Sequence, residues 1–139
     1  MQTHLAEWTV STRGDNDVID VSDDVQRVID RAGMRDGLCT AFVAHSTCAM
    51  TTIEAEPGCV ADLDRVLGSI TPADDVYEHN VRHHDTNGHA HIRAALMGPS
   101  VAIPFASGQL CLGTWQRVVC VDFDDRPRSR RLVVQLLGT

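Results

Sequence analysis

Apolar residues recur in two rhythms along this chain, and the order of those rhythms limits the fold more than any other feature. A period of two, or a short unbroken apolar run, marks a strand; a spacing of three to four marks a helix face. Residues 3–12 alternate around Leu5, Trp8 and Val10, and Arg13-Gly14-Asp15-Asn16-Asp17 then reads as a turn. Val25, Val28, Ile29 and Ala32 follow helical spacing, with Asp23 and Gln26 set as a cap pair and Gly33 as the stop. Leu38 to Ala44 reads as a strand buried on both faces that delivers His45 at its end. Residues 49–54 read as another strand. Pro57 opens a second helix with the stripe Val60, Leu63, Leu67 and Ile70, ended by Thr71-Pro72. Residues 72–88 are polar and predict a long loop, and 90–97 predict a short helix closed by Gly98. Residues 100–105, 109–114 and 116–123 predict strands, with Ser107-Gly108 turning the first pair. Asp124-Asp125-Arg126-Pro127 turns into a last strand, Arg131 to Leu137. No regular βαβ repeat emerges. The expected class is α+β: one domain over 1–139, with largely antiparallel or mixed sheet and a few helices.

A chain of 139 residues is long enough to bury its own core. No run of about 18 apolar residues occurs, so no membrane helix is expected. The start, MQTHLAEWTV, has neither a basic stretch nor an apolar core, so the expectation is no signal peptide and a cytoplasmic protein. The net charge of −7 is uneven: residues 1–75 carry 5 Arg and 14 acids, whereas 76–139 carry 7 Arg and 5 acids. The acidic body argues against nucleic acid as a partner, while the second half can still hold one small anion. The chain has no lysine, which excludes Schiff-base chemistry. Its five cysteines, Cys39, Cys48, Cys59, Cys111 and Cys120, are odd in number and form no C-x-x-C pair. They are expected to be free thiols.

Five of the seven histidines (His79, His83, His84, His89 and His91) fall within thirteen positions. Neutral imidazole is the commonest protein metal ligand, and catalytic zinc takes three protein ligands while keeping one exchangeable position. His79 and His91, with His45 at its strand end, can supply three. A solvated His-rich loop is the alternative, and it suits His83 and His84. In a helix His89 and His91 would diverge by about 200°, so both are not expected on one ion. His45-Ser46-Thr47-Cys48 places hydroxyls beside an imidazole and suits an anion cradle next to a metal. Glu54 is a candidate general acid–base, a partner for a ligand imidazole, or a plain surface carboxylate. Gly113-Thr114-Trp115-Gln116 offers a stacking face and an amide, unless Trp115 simply packs. Arg126, Arg128, Arg130 and Arg131 supply guanidinium for phosphate, unless they form a solvated face.

These residues together resemble a family. The run H-S-T-C-A-M-T from His45, then Glu54, Y-E-H at 77–79, N-G-H-A-H-I at 87–92, L-M-G-P-S at 96–100, G-Q-L-C-L-G-T-W-Q at 108–116 and Arg130-Arg131 are similar to the YjbQ-like proteins, described as secondary thiamine-phosphate synthases. The resemblance implies a small α+β trimer. It also implies a divalent metal, zinc by preference, on His45, His79 and His91 near a subunit interface. The implied activity is a transferase that joins a pyrimidine diphosphate to a thiazole phosphate and releases pyrophosphate. His45, His79 and Glu54 would be catalytic; Ser46, Thr47, Trp115, Gln116, Arg130 and Arg131 would bind the small phosphorylated substrate. The chain departs from the family pattern in four places: H-S-T-C stands for H-T-S-A, Ile53-Glu54 for N-E, Glu56-Pro57-Gly58 for Asp-Pro, and the His83-His84 stretch for E-G. A non-catalytic metal- or phosphometabolite-binding module and a small-phosphoester hydrolase are the alternative functions.

Overall fold

The computed structural model describes residues 1–139. In chain order the elements are β1 (Gln2–Thr12), β2 (Asp17–Asp20), α1 (Ser22–Ala32), β3 (Gly37–Val43), β4 (Cys48–Ile53), α2 (Pro57–Ile70), α3 (Glu78–His83), α4 (Gly88–Met97), β5 (Ser100–Ala106), β6 (Gln109–Leu110), β7 (Arg117–Asp122) and β8 (Arg128–Gly138). The strands form two sheets, a five-stranded one in the order β1-β8-β3-β5-β6 and a three-stranded one in the order β2-β7-β4. Every pairing is antiparallel. The α+β class and the antiparallel sheets are as the sequence predicts.

The small sheet is the middle of the molecule. Successive strand residues face opposite sides, and both sides of β7 are covered. Val118 and Cys120 join the main core against the large sheet, with Ile29 and Val25 of α1 and Leu132, Val134 and Leu136 of β8. Val119, Val121 and Phe123 face the other way, against Leu67 of α2 and Ala90 and Ala94 of α4. The α1 helix ends as expected, with Gly33 left-handed (φ 65°) and its N–H on the carbonyls of Ile29 and Asp30. For α2, Glu56 caps the N-terminus by accepting from the backbone N–H groups of Gly58 and Cys59, and Pro57 opens the first turn.

Four expectations are corrected. The 72–88 segment contains the helix α3, a turn and a half of polar residues with no apolar stripe to announce it. A short strand, β2, follows the 13–16 turn, because Asp17 to Asp20 pair with the end of β7. The strand expected over 109–114 stops at Leu110. The strand β3 is buried on one face only: Cys39, Ala41 and Val43 enter the core, whereas Leu38 is 42% and Phe42 39% exposed. The outer face of the large sheet has nothing packed on it in one chain. All five cysteines are free.

Candidate metal and anion site

The β3–β4 turn carries the first group of predicted residues, and a buried ion-pair network fixes it. Arg130 of β8 is 5% exposed. Its Nε donates to Asp122 Oδ2 at 2.6 Å, and an Nη donates to Asp122 Oδ1 at 2.9 Å and to Thr47 Oγ1 at 2.7 Å. Thr47 in turn donates to Asp124 Oδ2 at 3.2 Å, and its carbonyl accepts from Phe123 N–H. Thr12 Oγ1 also donates to Asp122. Burial would push Asp122 and Asp124 up. Arg130 outweighs it for Asp122, and the Asp125 N–H with the Arg128 charge outweighs it for Asp124, so both carboxyls lie below the usual range. Arg130 and Thr47, expected to bind substrate, are therefore committed to the protein's own groups. Arg131 faces outward and pairs with Glu7 at 3.1 Å.

His45 sits where β3 leaves the ladder. The Ala44 N–H donates to the Arg131 carbonyl, and the Arg131 N–H donates to His45 Nε2 at 2.8 Å. The imidazole thus stands in for the carbonyl that a continuing strand would offer. Burial, then the positive charge of Arg130, pulls the His45 pKa below its ordinary value.

His91 of α4 and His45 line one open cavity of about 270 Å³, with Ser46, Cys48, Ala95 and Pro99 also in its wall. The Cys48 thiol is pushed up, first by the neighbouring Cys120 thiol and then by burial, so it stays protonated. The helix α4 begins at Gly88, so His89 turns the other way and is buried, its Nδ1 without a partner.

Behind His91 stands a row of imidazoles. The His79 ring centroid is 4.4 Å from that of His91 and 5.1 Å from that of His83. Asn80 Oδ1 accepts from Gly88 N–H at 2.8 Å, which fixes it as an acceptor, so His79 Nδ1, 3.2 Å away, is the donor to it. The lone pair of neutral His79 is then on Nε2. Two imidazoles sharing one zinc, with Zn–N near 2.05 Å, have centroids about 4.5–5.2 Å apart. The His79–His83 spacing falls within that range and the His79–His91 spacing just below it, and the Asn80 contact leaves the His79 Nε2 lone pair free. Burial, and next the neighbouring His79 imidazole, pull the His91 pKa below its ordinary value. No group of three or more His, Cys, Asp or Glu side chains in one chain is set to hold an ion. His79 and His91 are the closest pair of imidazoles beside the cavity.

The second group of predicted residues lies elsewhere. Trp115 is 71% exposed on the β6–β7 connection, Gln116 bonds the Gly113 N–H and Thr52, and Glu54 follows β4. The length of β4 separates them from His45; its five residue steps span roughly 17 Å. The largest cleft, about 480 Å³, shares no lining residue with the cavity at His45 and His91 and lies among Arg13, Asp15, Asp17, Asp20, Ala55 and Val60. There Asp17 is tied to Arg13 and Asp20 to Arg117, while Asp15 carries no ion-pair partner. The smaller cavity holds two of the three predicted histidines, His45 and His91. Its link to the Arg130 network escaped sequence reasoning because the partners Thr12 and Asp122 are 110 positions apart.

The two packed sheets, with a cavity at one sheet end where β3 passes to β4, define a small antiparallel α+β protein. The chain belongs to the UPF0047 family of YjbQ-like proteins, whose model matches residues 6–139. A UPF0047 protein of Archaeoglobus fulgidus is 37% identical over 131 residues, covering 94% of this chain and 99% of that one. The crystal structure of a YbjQ-like protein of unknown function from Sulfolobus solfataricus P2 superposes with a TM-score of 0.94 at 31% identity, covering 99% of both chains. A hypothetical protein of Aeropyrum pernix K1 gives 0.90 at 34% identity, covering 100% of both.

Proposed function

We propose that the chain is a metal-assisted transferase of the thiamine-phosphate synthase kind, with its centre at the cavity between the 44–47 turn and α4. One observation carries this reading: His91 lines the cavity on one side and packs against His79 on the other. A ligand in the cavity therefore meets His91, with His79 behind it as the second imidazole proposed to hold a divalent ion. The ion, when bound, would neutralise the charge of a departing pyrophosphate.

The rest falls to the chain. The bond between the pyrimidine methylene carbon and the diphosphate oxygen breaks, the thiazole nitrogen lone pair forms the new C–N bond, and pyrophosphate leaves. Ser46 is exposed at the cavity and offers a hydroxyl to the phosphoryl oxygens. Arg130 and Asp122 hold the turn that presents it. Glu54, Trp115 and Gln116 reach the same substrate only from another copy of the chain, since β4 keeps them apart within one. The proposed homotrimer meets that need. Its contact would lie on the bare outer sheet face, where Leu38 and Leu137 are register partners and Phe42 is exposed on the same face four residues along β3.

A second reading draws on the cavity size. About 270 Å³ is at the low end for a ligand site. That suits one small phosphorylated molecule, bound or hydrolysed, better than a two-ring product. The deciding experiment supplies purified protein with the pyrimidine diphosphate, the thiazole phosphate and a divalent metal. Thiamine phosphate formed above the uncatalysed rate, and lost in His79→Ala, supports the synthase. No excess in the wild type favours the binding or hydrolase reading.

A further inference from the structure

The tautomer of His45 decides what this residue can do. A backbone N–H can only donate, so His45 Nε2, 2.8 Å from the Arg131 nitrogen, must present its lone pair there. A neutral imidazole has one such lone pair, and its proton is then on Nδ1. An N–H cannot ligate a metal. The resemblance makes His45 one of three metal ligands; the hydrogen bond removes it from that set. The same bond leaves an N–H donor on a residue that lines the cavity, beside the exposed Ser46 hydroxyl.

The local field favours a negative partner for that donor. The charges of Arg130 and Arg131 act on the ring, and the one carboxylate that opposes them, Asp122, is bound by the Arg130 guanidinium. Cys48, the nearest thiol in the wall, stays neutral. The cavity thus meets its ligand with two donors and no free anion of its own at this end.

We propose that His45 binds a phosphoryl or diphosphate oxygen of the ligand through Nδ1–H, and that the metal is held without it. This rests on the cavity being the ligand site of the proposed function. His45 then plays two roles at two atoms, holding β8 through Nε2 and the ligand through Nδ1. The geometry of the amide side chains separates them: the Asn amide nitrogen can occupy the place of Nδ1, and the Gln amide oxygen the place of Nε2.

The test uses the full chain with inorganic pyrophosphate and, separately, zinc, both followed by calorimetry, together with nitrogen-15 spectra of the His45 ring. Expected are a protonated Nδ1 in the wild type and pyrophosphate binding weakened about ten- to hundredfold in His45→Gln, the range for a hydrogen bond to a charged group. His45→Asn should stay within a few fold of wild type. Zinc affinity should be unchanged in both and lost in His91→Ala. His45→Gln should melt with the wild type, which separates a lost donor from a lost fold. A protonated Nε2, zinc lost in His45→Gln, or no pyrophosphate binding by the wild type would each overturn the proposal. Pyrophosphate bound through His45 by a protein that makes no thiamine phosphate would defeat the synthase reading and leave this assignment standing.

Discussion

Arg130 and Asp122 face each other in a buried two-point ion pair, Nε to Oδ2 at 2.6 Å and an Nη to Oδ1 at 2.9 Å, at the point where β8, β7 and the 44–47 turn meet. Both side chains are shielded from water, at 6% and 0% exposure. A charge buried this way is costly once its partner is gone. Arg130→Ala is expected to destabilise the fold by about 3–5 kcal/mol, the range for breaking a buried pair. Arg130→Lys should recover only part, because an ammonium cannot span both Asp122 oxygens and Thr47. Urea unfolding of the three proteins checks this; equal midpoints for wild type and Arg130→Ala would refute it.

The same network sets the acid limit of the protein. Asp124 is held at about 2 and Asp122 is also lowered, against about 3.9 in the unfolded chain. A depressed carboxylate binds fewer protons folded than unfolded. Its contribution is therefore complete above the unfolded value and fades as pH falls through the folded one. Melting temperature should hold steady on acidification to about pH 5 and drop from about pH 4 toward 2. A flat profile from pH 5 to 2 would contradict the arrangement.

Gly88 is where α3 and α4 touch. A Cβ there would lie 2.6 Å from the Tyr77 Cβ and 2.9 Å from Asn80 Oδ1. Since Asn80 also orients His79, Gly88→Ala is expected to cost about 1–3 kcal/mol from overpacking and to weaken zinc binding together with it. Thermal melts and zinc titration of this variant test the coupling. Unchanged zinc affinity in a destabilised protein would break the proposed chain from Gly88 to His79.

The outer face of the large sheet predicts self-association. Phe42→Glu places a charge on the bare face that also carries Leu38 and Leu137. Light scattering should report a trimer for the wild type and a smaller species for the variant, with the fold intact. A monomeric wild type at micromolar concentration would count against the shared site.

Local signals made much of this fold legible. Gly33, Pro57 and the Val25-Val28-Ile29 stripe mark helix ends and faces through chemistry contained within a few residues. The helix α3 was not legible, because Glu78–His83 has no apolar stripe and owes its place to contacts with α4. The strand β2 depends on β7, a hundred positions away. The apolar run of β3 reads like a doubly buried strand, yet Leu38 and Phe42 face outward, because nothing in one chain covers that side. For the site, the sequence singles out His45, His79 and His91 by residue type. It does not carry the Arg131 N–H on His45, a tertiary bond between residues 86 positions apart. It also groups Trp115 and Gln116 with His45, which the length of β4 keeps apart.

The central proposal is that His91, in the wall of the cavity, and His79 behind it hold a divalent metal. Elemental analysis of zinc-loaded, dialysed protein tests it most directly. The account predicts zinc retained by the wild type and by His45→Gln, and lost from His79→Ala and His91→Ala variants that still melt cooperatively. Equal zinc in the wild type and in both of those variants would contradict it.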